Sequence, residues 1–495
     1  MKKIIKWAEP VIQTVISVLL LALMVASGLL PVKYLGVAVA LVLLLLALTF
    51  LSARSKNTAA RSLGAILALV VCVVLIVAVV YLRQIMSALH QISDTDTQIV
   101  NIAVLVPAED PAQSIGETAG YRLGLYEGAD ASLLEEMVRE IGDRNGDTDL
   151  QTDLFESPLA LTTALLDGRI DAAVCNKAFF PLLEEAVEEF STRTRILYEK
   201  EFETEIDSSG AWKRGWIGSD GAGTGASAQE AVKKGKVWEL TKEPFTVLIS
   251  GIDVSGPINT TSRSDVNILM TVNPVTHRIL LTTTPRDYYV YIPGISGDRR
   301  DKLTHAGIYG VRNSMNALEN LYGIGISDYI RINFDSLVQL VDVLGGVDVN
   351  SEVAFDSGTN HFVKGVNHLN GEQALAFSRN RYAFEEGDVQ RGKNQMLVLT
   401  AIIDKLQSPA LLKNPTQVLD VIAKSMQTSI TTDQITKVIA WQLDNAHKWQ
   451  IDRQSVTGTG DAQKPYSMPD TELYVMWPDE ESVREASGKI RDMMR

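Results

Sequence analysis

The chain has 495 residues, too many for one compact domain, and its charge is spread unevenly. Of its 46 basic and 60 acidic residues, seven basic and one acidic lie before residue 83, which leaves 39 basic and 59 acidic residues and a net charge of −20 for the remainder. Wrapping nucleic acid requires a basic surface, so this acidic part argues against nucleic acid as a partner. The two cysteines, Cys72 and Cys175, lie in an apolar run and in the polar part, so we expect no disulfide between them.

Three apolar stretches without any charge open the chain: Val11–Leu30, Leu35–Leu51 and Leu63–Leu82. Each is close in length to the roughly 20 residues that cross the hydrocarbon core of a bilayer. A cleavable signal peptide would explain the first stretch alone. The sequence therefore predicts three transmembrane helices over residues 1–90.

The basic residues that flank these stretches predict their direction, because Lys and Arg collect on the cytoplasmic side. Two of them, Lys33 and Arg83, lie on one side of the predicted membrane. Six lie on the other side: Lys2, Lys3, Lys6, Arg54, Lys56 and Arg61. We therefore expect a multi-pass cell-membrane protein with a cytoplasmic N-terminus and everything after residue 83 outside the cell, where ATP is not available.

Residues 91–207 have the pattern of a small α/β accessory domain. A strand is predicted at Val100–Val106, and helices are predicted at Ala131–Ile141, Leu159–Leu166 and Pro181–Phe190. The last helix carries an acidic run typical of a solvated helix face rather than of a metal site: Glu184, Glu185, Glu188 and Glu189. A partner protein bound to this domain and a spacer role both remain open.

Six glycines between Ser208 and Gln229 predict a Gly/Ser-rich linker over residues 208–241, followed by a second soluble domain over residues 242–495. In this domain strands alternate with helices, which favours an α/β sandwich with a mixed sheet. The predicted strands are Phe245–Ile252, Val266–Val272, Arg278–Thr284, Tyr329–Phe334 and Val347–Val349. The predicted helices are Ala306–Leu321, Ser336–Leu344, Glu372–Phe377 and Asp388–Leu406.

Charged side chains of the second domain fall at or beside predicted strand ends, where α/β folds bind ligands. The first group is Asp253, Arg263, Asp265 and Arg286. Arg379 and Arg381 come later, and an extended backbone would point both side chains the same way. The last group, spaced by three and four so that it lies on one helix face, is Asp388, Arg391 and Gln395.

Arginines interleaved with aspartates suit phosphate chemistry. The planar arginine fork binds phosphate oxygens bidentately, and paired carboxylates hold Mg²⁺. Together they can neutralise a pyrophosphate and stabilise charge during phosphoryl transfer. Neither of the Gly-rich nucleotide-binding motifs occurs in the sequence. Simpler readings remain open, since Arg263 with Asp265 fits a surface ion pair and Asp388 with Arg391 fits an intrahelical pair.

Seven blocks of the second domain resemble, in family order, the LytR–CpsA–Psr (LCP) family. They are Phe245–Asp253 (FTVLISGID), Ser262–Asp265 (SRSD), Thr284–Asp287 (TPRD), Lys302–Ala306 (KLTHA), Gly345–Asp348 (GGVD), Leu369–Arg381 (LNGEQALAFSRNR) and Gly387–Gln395 (GDVQRGKNQ). The three-span anchor and the α/β insert are similar to a CpsA-like branch of this family. The resemblance implies an α/β/α catalytic domain whose apolar core houses a polyprenyl chain.

The resemblance also implies an Mg-dependent phosphotransferase. It would move a glycan-1-phosphate (capsule, teichoic acid or other wall polysaccharide) from undecaprenyl pyrophosphate to peptidoglycan. The residues implied to be catalytic are Arg263, Arg286, Arg379, Arg381 and Asp388. Those implied to bind substrate are Arg391, Gln395 and Lys302. Those implied to hold Mg²⁺ are Asp253 and Asp265.

Three points stay open in the sequence. The group that takes the acceptor proton is Asp265, Asp388 or Asp287. Water in place of the sugar hydroxyl would make the same site a polyprenyl-pyrophosphate pyrophosphatase. A non-enzymatic membrane regulator, a transcriptional attenuator, is the third reading. It is disfavoured because the predicted topology leaves only a few residues and one short loop in the cytoplasm.

Overall fold

The computed structural model describes residues 2–93, 97–126, 128, 130–146, 150–206, 239–252, 257–385, 387–408, 415–445 and 447–495. Two expectations fall on other residues. The predicted linker, 208–241, lies outside the described residues except for its last three positions, and Asp253 lies outside them as well.

Three helices open the chain: α1 (Lys2–Ser27), α2 (Val32–Arg54) and α3 (Thr58–Ser93). Each is long and apolar enough to cross a membrane, which confirms the three predicted apolar helices. The helix α3 continues beyond the predicted span, which ended at Leu82.

The accessory domain is a five-stranded sheet with helices on its faces, in the order β3-β2-β4-β1-β5. Its strands are β1 (Thr97–Pro107), β2 (Arg122–Tyr126), β3 (Gln151–Phe155), β4 (Ala172–Asn176) and β5 (Thr194–Glu205). Its helices are α4 (Ala131–Asn145), α5 (Pro158–Leu166), α6 (Phe180–Ala186) and α7 (Phe190–Arg193). The single helix predicted at Pro181–Phe190 is wrong, because Glu189 adopts a left-handed backbone with φ of 56° and separates α6 from α7.

The second domain alternates strands and helices as predicted. Its strands are β6 (Phe245–Ile252), β7 (Ser264–Asn273), β8 (Arg278–Thr283), β9 (Tyr289–Val290), β10 (Asp301–Lys302), β11 (Asp328–Asn333), β12 (Val347–Ser351), β13 (Phe355–Ser357), β14 (Asn360–Phe362), β15 (Gly365–Leu369), β16 (Met426–Thr428), β17 (Gln450–Ser455), β18 (Gly458–Gln463) and β19 (Leu473–Pro478). Its helices are α8 (Leu303–Ala306), α9 (Val311–Tyr322), α10 (Phe334–Val343), α11 (Gly371–Arg379), α12 (Asp388–Leu406), α13 (Pro415–Ser425), α14 (Thr432–Asn445) and α15 (Glu480–Met493). The helix predicted from Ala306 begins later, at Val311, because Gly310 has φ of 105° and interrupts it.

The central sheet of this domain has six strands in the order β16-β11-β6-β7-β8-β17. It is mixed, since β6 pairs with β11 and β8 with β17 in parallel while the other pairs are antiparallel. On one face Leu248 and Leu269 share a core with α9 and α15. On the other face Val247 and Leu281 pack against Met396 of α12. The sheet therefore lies between two helical layers, which confirms the α/β/α expectation.

The accessory domain is joined to the second domain by direct contacts. The backbone of Ile99 in β1 exchanges hydrogen bonds of 2.9 Å with Asn259 O and Thr261 N. Ser157 Oγ donates to Asp470 Oδ2 at 2.7 Å. These contacts fix the accessory domain against the second domain at two separate places.

The anchor is joined to the second domain as well. Leu89 and Ile92, in the part of α3 beyond the predicted span, pack with residues of α13 and α14 such as Ile422 and Ile435. Lys33 Nζ, in the first turn of α2, lies 2.9 Å from Asp444 Oδ1 of α14. The turn between the first two apolar helices therefore lies on the same side of the anchor as the second domain.

We predict opposite effects for two glycine-to-alanine substitutions. A Cβ at Gly371, the first residue of α11, would lie 2.3 Å from the backbone oxygen of Val338. Gly371→Ala should therefore cost roughly 1–3 kcal/mol of unfolding free energy, as overpacking does. A Cβ at Gly488 in α15 has no heavy atom within 4 Å, so Gly488→Ala should gain up to about 1 kcal/mol from helix propensity.

Thermal unfolding of the full chain in detergent, followed by circular dichroism, measures both effects. A Gly371→Ala variant that melts at the temperature of the unaltered chain would contradict the close approach of α10 and α11.

Candidate active site

A cavity of about 360 Å³ opens between the sheet and the helices α10, α11 and α12 of the second domain. Part of its wall is apolar: Ile249, Val266, Ile268, Ile332, Leu337, Val398, Leu399 and Ile402. The other part carries charged and polar groups, including Arg263, Asp265, Arg286, Arg379, Arg381, Arg391 and Gln395. Glu185, Arg379 and Tyr382 are exposed, whereas Ile249 and Val398 are buried. We therefore call Glu185, Arg263, Arg379, Arg381 and Tyr382 the mouth of the cavity.

Regular secondary structure places these side chains. Residues two apart in a strand share one face, which brings Val266 and Ile268 of β7 to the cavity. Residues three or four apart share one helix face, which aligns Arg391, Gln395 and Val398 of α12. The same helix therefore contributes polar groups near its N-terminal end and apolar groups further along.

Asp265 is a buried carboxylate with two hydrogen-bond donors. Arg286 Nη1 and Thr304 Oγ1 each donate to its Oδ1 atom at 3.1 Å. Burial raises the pKa of Asp265, but the nearby guanidinium groups of Arg286, Arg263 and Arg391 outweigh burial and hold that pKa below its ordinary value. Asp265 is therefore ionised at neutral pH.

Asp388 differs from Asp265 although it also has an arginine partner. It forms an ion pair with Arg391 three residues along α12, and both side chains are largely buried. Here burial prevails, and the pKa of Asp388 is raised although Arg391 and Arg286 oppose the rise. The intrahelical ion pair expected from the sequence is thus present, and it is buried beside the cavity.

Two of the arginines at the mouth, Arg379 and Arg381, have no acidic partner among the described residues. Arg379 stacks on the Phe334 ring at 4.4 Å, and Arg381 Nη2 donates to the Tyr382 hydroxyl at 2.7 Å. Neither arginine forms an ion pair within the part of the chain that the structure describes. Both guanidinium groups can therefore accept a phosphate without giving up a carboxylate.

Several sequence expectations change in detail. Arg379 ends helix α11, so the extended backbone expected for it is wrong; the capping box of Asn370 and Gln373 starts this helix. Arg263 does not pair with Asp265, because its Nη1 lies 2.7 Å from Glu185 Oε1 of the accessory domain. Glu185 lies on the exposed face expected for the acidic run, and it pairs with Arg263 there.

Two of the predicted site residues that the structure describes, Lys302 and Asp388, do not line the cavity. Lys302 Nζ lies 2.5 Å from Asp287 Oδ1, and both side chains are nearly buried, so this lysine serves as a counter-ion to Asp287. Asp253 lies outside the described residues. Asp388 lines a smaller pocket next to the cavity, which it shares with Asp265, Arg286, Arg391 and Gln395.

Sequence reasoning missed Tyr382, Thr304 and Glu185. Tyr382 directly follows Arg381, and its 87% exposure is unusual for a tyrosine. Thr304 belongs to the block Lys302–Ala306, but it carries no charge. Glu185 is distant in the chain, and only the packing of the two domains brings it to the mouth.

The arrangement can bind an anion with several phosphate oxygens next to an apolar chain. Asp265 fits a cation, since it is ionised and offers the oxygen ligands that Mg²⁺ prefers. No group of three or more His, Cys, Asp or Glu that could hold a metal ion occurs among the described residues.

The sequence profile of the LytR_cpsA_psr family matches residues 217–482, which is more than half of the chain. The chain therefore belongs to the LytR–CpsA–Psr family.

Two curated relatives are named polyisoprenyl-teichoic acid–peptidoglycan teichoic acid transferase TagU. The protein from Enterococcus faecalis is 37% identical over 212 residues, which cover 42% of this chain and 69% of the relative. The protein from Bacillus cereus is 37% identical over 194 residues, which cover 39% of this chain and 62% of the relative. The crystal structure of B. subtilis TagV has a TM-score of 0.43 and 26% identity, and the match covers 51% of this chain and 98% of TagV.

We predict that Asp388→Asn stabilises the fold at neutral pH. The raised pKa means that the folded chain holds this proton more tightly than the unfolded chain. The stability that Asp388 contributes is therefore full below its unfolded pKa, near 3.8, and is lost as pH rises through the raised value. Asn carries no such penalty, and Arg391 keeps Asp265 and Asp287 as counter-charges.

The expected gain is roughly 0.5–2 kcal/mol near pH 7, typical of substitutions that relieve a functional site, and it should shrink toward pH 4. Thermal melts of the full chain across this pH range measure it. Asp404→Asn removes an exposed acid near the other end of α12 and serves as the control, with little change at either pH. A gain that stays constant with pH would contradict the assignment of a raised pKa to Asp388.

Proposed function

We propose that this protein transfers a glycan-1-phosphate from a polyprenyl pyrophosphate to peptidoglycan. The observation that carries the proposal is the cavity itself: one wall is apolar and the mouth holds arginines whose charge is open to a ligand. The names of the curated relatives support the same class of reaction. The polymer is a capsule, a teichoic acid or another wall polysaccharide.

In this proposal the polyprenyl chain lies along Ile268, Leu337 and Ile402, because an apolar chain gains free energy when it leaves water. The pyrophosphate lies at the mouth, where Arg379 and Arg381 donate to its oxygens. Arginine suits this role because its planar fork matches phosphate oxygens and keeps its charge at any physiological pH. Arg263 also lies at the mouth, Arg286 and Arg391 extend the positive region inward, and Gln395 adds an amide.

The acceptor hydroxyl attacks the phosphorus that carries the glycan. A bond forms between the acceptor oxygen and that phosphorus, the bond to the bridging oxygen breaks, and polyprenyl phosphate leaves. We assign the acceptor proton to Asp388, since a carboxylate with a raised pKa is a better base than one with a lowered pKa. Asp265 has a lowered pKa, and Asp287 is already paired with Lys302.

We also propose that Asp265, together with Asp253, holds Mg²⁺. The ionised and buried carboxylate of Asp265 supports this role. A bound Mg²⁺ would supply charge that neutralises the pyrophosphate oxygens. The chain's own arginines would bind the same oxygens.

For localisation we propose a cytoplasmic N-terminus and a catalytic domain outside the cell. The basic flanks of the apolar helices support this direction. The contact of Lys33 with Asp444 supports it further, since the first turn of the anchor and the catalytic domain then share one side. Peptidoglycan, the proposed acceptor, lies on that side.

A transfer assay tests the function. The full chain in detergent is incubated with a polyprenyl-pyrophosphate-linked oligosaccharide, Mg²⁺ and peptidoglycan fragments, and products are separated by mass spectrometry. The proposal predicts peptidoglycan fragments that gain one glycan-1-phosphate. Free glycan phosphate with no joined product would instead indicate a pyrophosphatase, and an unchanged donor would contradict both activities.

We predict that Arg379→Ala and Arg381→Ala each lower the transfer rate about 10- to 100-fold, because each removes a charge-assisted phosphate contact worth roughly 1.5–3 kcal/mol. The double variant should lose activity beyond detection while its thermal melt stays near that of the unaltered chain. Arg491→Ala removes an exposed arginine of α15, on the opposite face of the sheet, and should leave the rate unchanged. Near-normal transfer by the double variant would contradict the assignment of these arginines to phosphate.

A further inference from the structure

The accessory domain places one carboxylate at the mouth of the cavity. Glu185, on α6, lines the cavity together with residues of the second domain. Its Oε1 atom lies 2.7 Å from Arg263 Nη1, at a side-chain exposure of 54% for Glu185 and 19% for Arg263. A carboxylate oxygen thus accepts the hydrogen bond that a phosphate oxygen would accept from the same guanidinium group.

Packing on both sides holds this contact in place. Leu182 and Leu183, on the apolar side of α6, share a core with Ile308 of the second domain. The neighbouring Gly307 lies so close to the segment before β7, which carries Arg263, that a Cβ would fall 2.5 Å from Ser262 O. The segment that supports α6 is therefore packed directly against the backbone next to Arg263.

The mouth arginines consequently fall into two kinds. Among the described residues Arg379 and Arg381 have no acidic partner, whereas Arg263 has Glu185. A pyrophosphate can bind the first two without displacing a protein group. It can take the Nη1 donor of Arg263 only by displacing Glu185 from that atom, and its own negative charge repels the carboxylate.

We propose that Glu185 is an affinity-determining residue of the donor site: it is the counter-ion of Arg263 that the pyrophosphate of the donor displaces. The proposal rests on the proposed function, since it takes the donor to be a polyprenyl pyrophosphate. It gives the accessory domain a part in donor binding. Donor affinity is lowered by the free energy needed to break one ion pair between the domains.

Thermodynamic linkage gives a second consequence. If contact between α6 and Arg263 weakens donor binding, donor binding weakens that contact by the same factor. The ion pair is half exposed and therefore worth little, so the factor is about three- to tenfold rather than several hundredfold. Binding of the donor should then loosen α6 and raise amide hydrogen exchange in residues 180–186.

The test uses the full chain in detergent and geranylgeranyl pyrophosphate as the probe, with affinity measured by titration calorimetry. Glu185→Gln should bind the probe about three- to tenfold more tightly than the unaltered chain. Glu184→Gln removes the same charge one residue away, on an exposed side chain bonded to Ser191, and should leave the affinity unchanged. In an Arg263→Gln background, Glu185→Gln should give a smaller gain, since the ion pair is already broken and only the repulsion between the carboxylate and the probe is relieved.

The outcomes separate the two proposals. In one outcome the unaltered chain binds the probe while Glu185→Gln binds it with equal or lower affinity. That result would overturn the role of Glu185 and leave the proposed function standing. An equal gain in Glu184→Gln, or an undiminished gain in the Arg263→Gln background, would also overturn it by indicating a general charge effect. No binding of the probe by any variant would contradict the proposed function and, with it, this inference.

Discussion

The structure depends on the placement of several arginines beside an apolar cavity. Five of them line it, and cationic groups this close repel one another unless acids or a ligand separate them. Asp265 and Asp388 supply that charge inside, from strand β7 and helix α12. Toward the mouth positive charge exceeds negative charge, since Arg379 and Arg381 lack an acidic partner among the described residues. A phosphorylated ligand would neutralise the positive charge that remains at the mouth.

The accessory domain and the apolar anchor both pack against the domain that contains this site. The accessory domain bonds to the second domain through Ile99 and Ser157 and sends Glu185 to the mouth. The helix α3 continues out of its apolar span and packs against α13 and α14, which belong to the same domain as the cavity. The domain that contains the cavity is thereby packed directly against the continuation of the third apolar helix.

Much of the fold could be predicted from sequence because periodicity reports it directly. Strand β6 and helix α12 have the predicted bounds, since their apolar patterns are uninterrupted. The errors have local causes: a left-handed Glu189 divides one helix, and a capping box at Asn370 places Arg379 in a helix rather than a strand. The pairing of Arg263 with Glu185 could not be predicted, because the two residues meet only through the packing of separate domains. Nor does spacing reveal that burial raises the pKa of Asp388 while arginines lower that of Asp265.

The central claim is that the cavity holds a polyprenyl chain and the mouth arginines hold its pyrophosphate. An experimental structure of the full chain with geranylgeranyl pyrophosphate tests it most directly. The account predicts phosphate oxygens within hydrogen-bond distance of the Arg379 and Arg381 guanidinium groups, and the isoprenoid chain against Ile268 and Val398. A lipid bound elsewhere, or phosphates turned away from these arginines toward solvent, would contradict it.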